Sequence, residues 1–222
     1  MTWGEAELEP EVSEWLEGLD DQRWAQAMFH LDLLEERGVL LGEPYTRQLA
    51  GKLRELRFYC GAERVRITYW IAPGRRIIML TVFKDEDARD RRDRAGRGGD
   101  GTLPARRPYR RRGRGGMTMR DQAGRRTSLA DARAARIHRP AAAAVYEQAR
   151  LRFELAEAIR TRRHELGWSQ RQLAEHAGMT QPGIARFEAG GTTPTLPLLE
   201  RLAAALGLTL TISLEPPGRR SA

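Results

Sequence analysis

Five basic residues fall where a sheet would otherwise be apolar. Arg54, Arg57, Arg64, Arg66 and Lys84 lie in or beside three strand-like runs, Leu53–Tyr59, Val65–Ile71 and Ile77–Phe83. The surrounding residues 1–84 carry 11 Lys and Arg against 14 Asp and Glu, so the cluster inverts the local sign. Cations placed this way either serve an anionic partner or are solvated charges on the outer face of a sheet. A second concentration of signals lies further on, where Ser169-Gln-Arg-Gln172 reads as a capping box, Gly178 as a turn and Thr180 as the cap of another short helix, Gln181 to Glu188. Metal and disulfide chemistry have no foothold. Cys60 is the single cysteine, and His30, His138, His164 and His176 sit in no metal-ligand spacing, so no metal and no cofactor are expected.

The elements that position these residues follow from periodicity. Val12, Trp15, Leu16 and Leu19, then Trp24, Met28, Leu31 and Leu34, recur at steps of three and four and predict two amphipathic helices broken near Asp20-Asp21. Gly38 and Gly42 stop that pattern. Ala72-Pro73-Gly74-Arg75 is a turn that joins the last two strand-like runs as a hairpin. Residues 1–84 thus read as an α+β domain, two helices followed by a small antiparallel sheet.

The stretches Gly42-Glu-Pro-Tyr45, Leu53-Arg-Glu-Leu-Arg-Phe58, Arg66-Ile-Thr-Tyr69 and Ile77-Ile-Met-Leu-Thr-Val-Phe-Lys84 resemble the RelE/HigB-type toxins of bacterial toxin–antitoxin systems, above all their phage-derived branch. The resemblance implies a metal-free ribonuclease that cuts messenger RNA on the ribosome. By position, Arg57 would hold the RNA backbone, Arg66 would stabilise charge on the scissile phosphate and Lys84 would assist the leaving group. The related ParE toxins share the fold and poison a topoisomerase instead.

Residues 85–116 hold 11 Arg and 7 Gly, with Leu103 and Tyr109 as the large apolar side chains. Such a composition predicts a disordered basic linker. An RNA-binding tail would interleave more aromatics. The toxin resemblance breaks where Phe83-Lys84 runs into Asp-Glu-Asp. Read one nucleotide later, these codons allow Lys-Thr-Arg-Thr and then a helical pattern. The shifted frame ends at a stop formed by the Met117 codon and the first letter of the Thr118 codon. That ATGA overlap is typical of two coupled genes, so 85–116 reads as a frameshifted toxin tail that joins a toxin to an antitoxin beginning at Met117.

Residues 117–140 are polar, rich in Arg and Ala, and predict a mobile arm or a short docking helix. From Ala141 a long helix carries Tyr146, Leu151, Leu155 and Ile159 on one face and closes at Leu166-Gly167. Two short helices through a Gly turn, with Ala174, Ile184 and Leu202 buried, make a helix-turn-helix. Leu166 to Gly190 and the following Thr192 to Gly207 closely resemble the Xre/Cro repressors. That resemblance implies that the second helix enters the major groove: Gln170 meets a phosphate, Thr180, Gln181 and Arg186 meet the groove, with Gln181 suited to adenine and Arg186 to guanine or phosphate. Arg171 and Arg201 read as solvated surface, and Glu188 as an internal ion pair or cap. Leu208 to Leu214 alternates strictly and predicts a terminal strand that pairs with its copy in a dimer.

The expected molecule has a toxin domain at 1–84 with its C-terminus lost and its ribonuclease activity impaired, a basic linker at 85–116, an arm at 117–140 and, at 141–215, an all-α helix-turn-helix antitoxin domain that binds DNA and represses its own operon. Its expected partners are operator DNA, mRNA or the ribosome for the toxin half, a toxin–antitoxin contact formed by residues from Met117 through the long helix, and a second copy. A net charge of +8 fits nucleic acid. The opening residues are acidic and no apolar run approaches membrane-spanning length, which reads as cytoplasmic. Two alternatives remain: an active mRNA-cleaving toxin restrained in cis, and a regulator whose N-terminal domain senses a ligand.

Overall fold

The structure, a computed structural model, describes residues 2–84 and 126–213. The expected linker 85–116, Met117 and Leu214 lie outside these residues. The chain divides into two units, residues 1–151 and 152–222.

In the first unit, strand β1 (Glu5–Leu8) leads into helix α1 (Pro10–Glu17) and helix α2 (Asp21–Arg37). Pro10 suits a first helical turn, where its missing N–H costs nothing. Asp20 caps α2 by accepting from the Arg23 amide at 2.8 Å. A short 3-10 turn, Gly38–Leu40, precedes strands β2 (Thr46–Ala50), β3 (Leu53–Cys60), β4 (Glu63–Ala72) and β5 (Arg76–Lys84). After residue 126 come β6 (Thr127–Ser128) and helix α3 (Leu129–Ala134).

The three strands expected between Leu53 and Phe83 are present, with the hairpin turn at 72–75. The sheet itself is larger than expected. It has six strands in the order β2-β3-β4-β5-β1-β6, and it is mixed, because β1 runs parallel to β5. The expected small antiparallel sheet is corrected on both counts. β1 and β6 span four and two residues, too short to show a period, and β2 is exposed along most of its length.

Alternation along the strands separates two faces. One buries Ala6, Leu8, Leu56, Phe58, Ile67, Tyr69, Ile77 and Met79 beneath Val12, Trp15 and Leu16 of α1 and Trp24, Met28 and Leu31 of α2. On this face His30 stacks on Phe58 with ring centres 4.8 Å apart, and the Cys60 thiol donates to the Arg23 carbonyl. The other face carries Glu55, Arg57, Tyr59, Arg64, Arg66 and Thr68.

Helix α4 (Pro140–Glu165) contributes to both units. Ala142 and Ala149 are buried in the first, Ala156 and Ile159 in the second, while Leu151, expected on the apolar face, is exposed. The buried positions are 142, 149, 153, 156, 159 and 163, a stripe that passes Leu151 by. In the second unit α5 (Gln170–His176), α6 (Gln181–Glu188) and α7 (Leu196–Ala205) close on one core of Leu173, Ala174, Ile184, Phe187, Leu202 and Leu206. The expected terminal strand is absent among the described residues. Residues 209–213 have no regular structure, because an alternating segment without a partner strand leaves its backbone groups unpaired.

Candidate functional site

On the open face of the sheet Arg57 and Arg66 are directly opposed residues of β3 and β4, flanked by the opposed pairs Glu55–Thr68 and Tyr59–Arg64. Arg64 lies over the Tyr59 ring at 5.7 Å. Three guanidinium groups therefore share one patch of sheet. Burial pulls Arg57 below its ordinary range; Glu43 and Glu55 oppose that pull, and Arg64 and Arg66 add to it.

Each cation of the expected site has a carboxylate. Arg57 stands 3.7 Å from Glu43, Arg66 3.4 Å from Glu55 and Lys84 3.1 Å from Glu63. The pairs differ in how easily a phosphate could replace the carboxylate. Glu43 is 72% exposed and can return to water, whereas Glu55 is 1% exposed and cannot, so taking Arg66 from it would leave a buried carboxylate without its closest cation. Glu55 therefore anchors Arg66. Lys84 is not brought to the arginines: it pairs in register with Val65, whose side chain faces the helices, so it sits on the opposite face at the sheet's end. Glu55 and Glu43 were not singled out from sequence, although Glu55 lies two residues from Arg57 and hence on its face.

The edge of the same unit is closed by residues 126–146. Thr127 and Ser128 pair antiparallel with Leu8 and Glu7. The Ser128 hydroxyl caps α3 by accepting from the Asp131 amide at 3.0 Å. Arg126 bonds Glu7 and Glu9, and Arg133 reaches both Asp32 and Glu35 on α2, at 2.7 and 2.8 Å. Tyr146 donates to Asp32 at 2.8 Å and packs edge-on against Phe29. Burial raises the Asp32 carboxyl above its usual range although Arg133 and Tyr146 pull it back. Burial also raises the Tyr146 phenol, and Asp32 raises it further. Arg136 donates to the Leu19 and Glu17 carbonyls, and Arg139 to Asp21. The described part of the expected arm, residues 126–140, thus contains a short strand and a helix that bond to this unit.

In the second unit, the turn between α5 and α6 passes through Gly178 at φ +61°, where a side chain would be strained. Ser169 forms the full capping box with Gln172, and the Thr180 hydroxyl accepts from the Gly183 amide at 3.2 Å. A chain of side-chain bonds ties the helices together. Arg163 donates to Glu188 at 2.6 and 2.9 Å, Gln170 donates to Glu188 at 2.9 Å, and Gln181 donates to Gln170 at 3.0 Å. Glu188 closes an internal ion pair, as its sequence position suggested. The structure brings Gln170, Thr180 and Gln181 together at the start of two adjacent helices. Arg186 is exposed at the far end of α6, where its Nε donates to the Gly191 carbonyl at 2.9 Å. Arg171 is exposed and paired with Glu175.

Among the described residues no group of His, Cys, Asp and Glu is placed to hold a metal ion, and no helix is long and apolar enough to cross a membrane. Residues 14–91 match the family described as phage derived protein Gp49-like, and residues 159–212 match the helix-turn-helix family. An uncharacterized HTH-type transcriptional regulator of Haemophilus influenzae is 46% identical over 65 residues, 29% of this chain and 66% of the relative. Another, of Methanothermobacter thermautotrophicus, is 47% identical over 49 residues, 22% of this chain and 71% of the relative. No solved structure matches the chain.

Proposed function

Since the chain belongs, through its C-terminal part, to the helix-turn-helix transcriptional regulators, we propose that it is a sequence-specific DNA-binding repressor fused to a toxin-type domain. The observation that carries the reading is the bond chain Gln181–Gln170–Glu188–Arg163, which fixes the start of α6 against the start of α5. A recognition helix held this way presents Gln181 and Thr180 to base edges while Gln170 meets the backbone. Arg186 reaches a base or a phosphate. Two copies of the chain would give the two half-sites such repressors bind.

The Gp49-like match over 14–91 and the contacts made by 126–146 support the fused arrangement. In this reading residues from the arm through the first part of α4 neutralise the toxin-type fold, and the protein represses its own operon. The test is a gel-shift titration of the full chain against DNA from upstream of its own coding sequence. Binding should fall steeply with salt and survive excess nonspecific competitor. Equal affinity for unrelated DNA would refute the reading.

A second reading, RelE/HigB-like mRNA cleavage by the N-terminal unit, rests on the opposition of Arg57 and Arg66. Two guanidinium groups on one patch can hold an RNA backbone and neutralise charge at phosphorus during attack by the neighbouring 2′-hydroxyl, a step that needs no metal. Lys84 would have to act from around the sheet's end.

A further inference from the structure

A cleft of about 410 Å³ lies at the end of the sheet away from Arg57 and Arg66 and on its helix-bearing side. Trp3, Val39 and Ile71 form its apolar wall, and Lys52, Arg54 and Arg75 form its polar one, with Gln48 beside them. Three elements converge there: the β2–β3 turn, the β4–β5 turn and the 3-10 turn after α2. Volumes of this order are those of small-molecule sites.

Three observations point to what the cleft takes. Its lining includes three cations and no carboxylate, although the surrounding residues 1–84 are acidic overall. The Arg54 guanidinium reaches the Tyr69 hydroxyl, while its Nε is buried without a hydrogen-bond partner and so is a donor already desolvated. The Trp3 ring is built in. Its backbone N–H donates to the Glu35 carbonyl at 3.1 Å, and its ring lies 2.0 Å from where a Cβ on Gly38 would stand, so only glycine admits it. The neighbouring Gly4 is pressed as closely on the Arg75 carbonyl, and the Arg75 guanidinium sits 5.9 Å over the Trp3 ring. One indole face rests on Gly38 and the other is covered by Arg75, so the surface offered to a flat ring that bears an anionic group is the Arg75 guanidinium backed by Trp3, with two more cations alongside.

We propose that this cleft binds a free nucleotide, its base stacked on the Arg75 guanidinium that covers Trp3 and its phosphates between Lys52 and Arg54. The volume suits one nucleotide, whereas sites for single strands track several. The proposal is independent of the helix-turn-helix reading and of any cleavage by Arg57 and Arg66.

The test is calorimetric titration of the full chain with adenosine and guanosine mono-, di- and triphosphates, with inorganic phosphate, and with a short RNA oligonucleotide. Lys52→Ser and Arg75→Gln change exposed residues and preserve the fold, which circular dichroism checks. At least one nucleotide should bind saturably, about tenfold more weakly to either variant. Trp3→Leu should weaken the nucleotide more than it weakens phosphate. The proposal is overturned if no nucleotide binds saturably, if the variants bind unchanged, if phosphate binds as tightly as every nucleotide, or if the oligonucleotide binds more tightly through Arg75.

Discussion

Arg163 in the last turn of α4 and Glu188 at the end of α6 form a doubly bonded ion pair, with side chains 7% and 1% exposed. Arg163 also donates to the Trp168 carbonyl at 2.7 Å, so the pair fixes the loop before α5. Removing one partner strands the other charge without solvent. Glu188→Gln should lower the unfolding free energy of this unit by about 3 kcal/mol, while replacing both residues with Met and Leu should recover most of the loss. Urea denaturation of the three variants checks this, and equal losses would show that packing alone matters.

Gln181 and Gln170 bond to each other, which holds Gln181 in one orientation at the exposed start of α6. Gln181→Ala should weaken binding to the preferred DNA about tenfold and relax the choice at one base pair. Arg186→Ala should weaken all sequences alike if its partner is a phosphate, and reduce the salt slope by about one. Thr180→Ala should weaken DNA binding too, and in addition cost about 1 kcal/mol of stability through the lost cap. Gel shifts at several salt concentrations, with thermal unfolding, separate the three.

The second unit was legible because its signals are local. A capping box, a positive-φ glycine and a capping threonine specify helices within a few residues, and Ala174, Ile184 and Leu202 are all buried as read. The arginine patch was half legible. Alternation placed Arg57 and Arg66 on one strand face each, but Lys84 changes face because the register between β4 and β5 shifts at Thr68/Tyr69, and a bulge leaves no mark in composition. The contacts of Arg133 with Asp32 and Glu35 span about a hundred positions and could not be read from neighbours.

Arg133 is the centre of the docking segment, with two carboxylates of α2 on its guanidinium. Arg133→Ala leaves Asp32 and Glu35 close together without their cation and should cost about 2 to 4 kcal/mol of the segment's attachment. Hydrogen exchange on the full chain reads this directly. Amides of α3 should lose protection first in the variant while those of β3 and β4 keep theirs; uniform loss across the unit would refute a local clasp.

Asp32 gives the same contact a pH dependence. Burial raises its carboxyl above the ordinary 3.8, so the folded state holds the proton more tightly than the unfolded chain does. The sign follows: this contribution to stability is complete below the unfolded pKa and disappears as pH rises through the folded value. Relative to Asp32→Asn, the natural protein should therefore lose stability as pH climbs from the acid range, then level off. Urea midpoints of both proteins across that range test it, and a relative gain would mean that Arg133 outweighs burial.

Arg57 and Arg66 share a patch that Lys84 does not, and that geometry ranks their effects if the N-terminal unit cuts RNA. Arg66 is anchored by a carboxylate that cannot leave for water, so its guanidinium is pre-positioned, whereas Arg57 can release Glu43 to a phosphate. Arg66→Ala should abolish cleavage, with a loss of at least about a hundredfold. Arg57→Ala should weaken RNA binding and leave the chemical step closer to normal, and Lys84→Ala should have the smallest effect. Single-turnover cleavage of a defined RNA, in the presence of ribosomes, separates binding from chemistry. Because Glu55→Gln keeps the shape but frees Arg66 from its buried anion, it serves as the control. If it destroys cleavage as completely as Arg66→Ala, positioning by Glu55 is part of the mechanism; if cleavage survives, the anchor serves the fold alone.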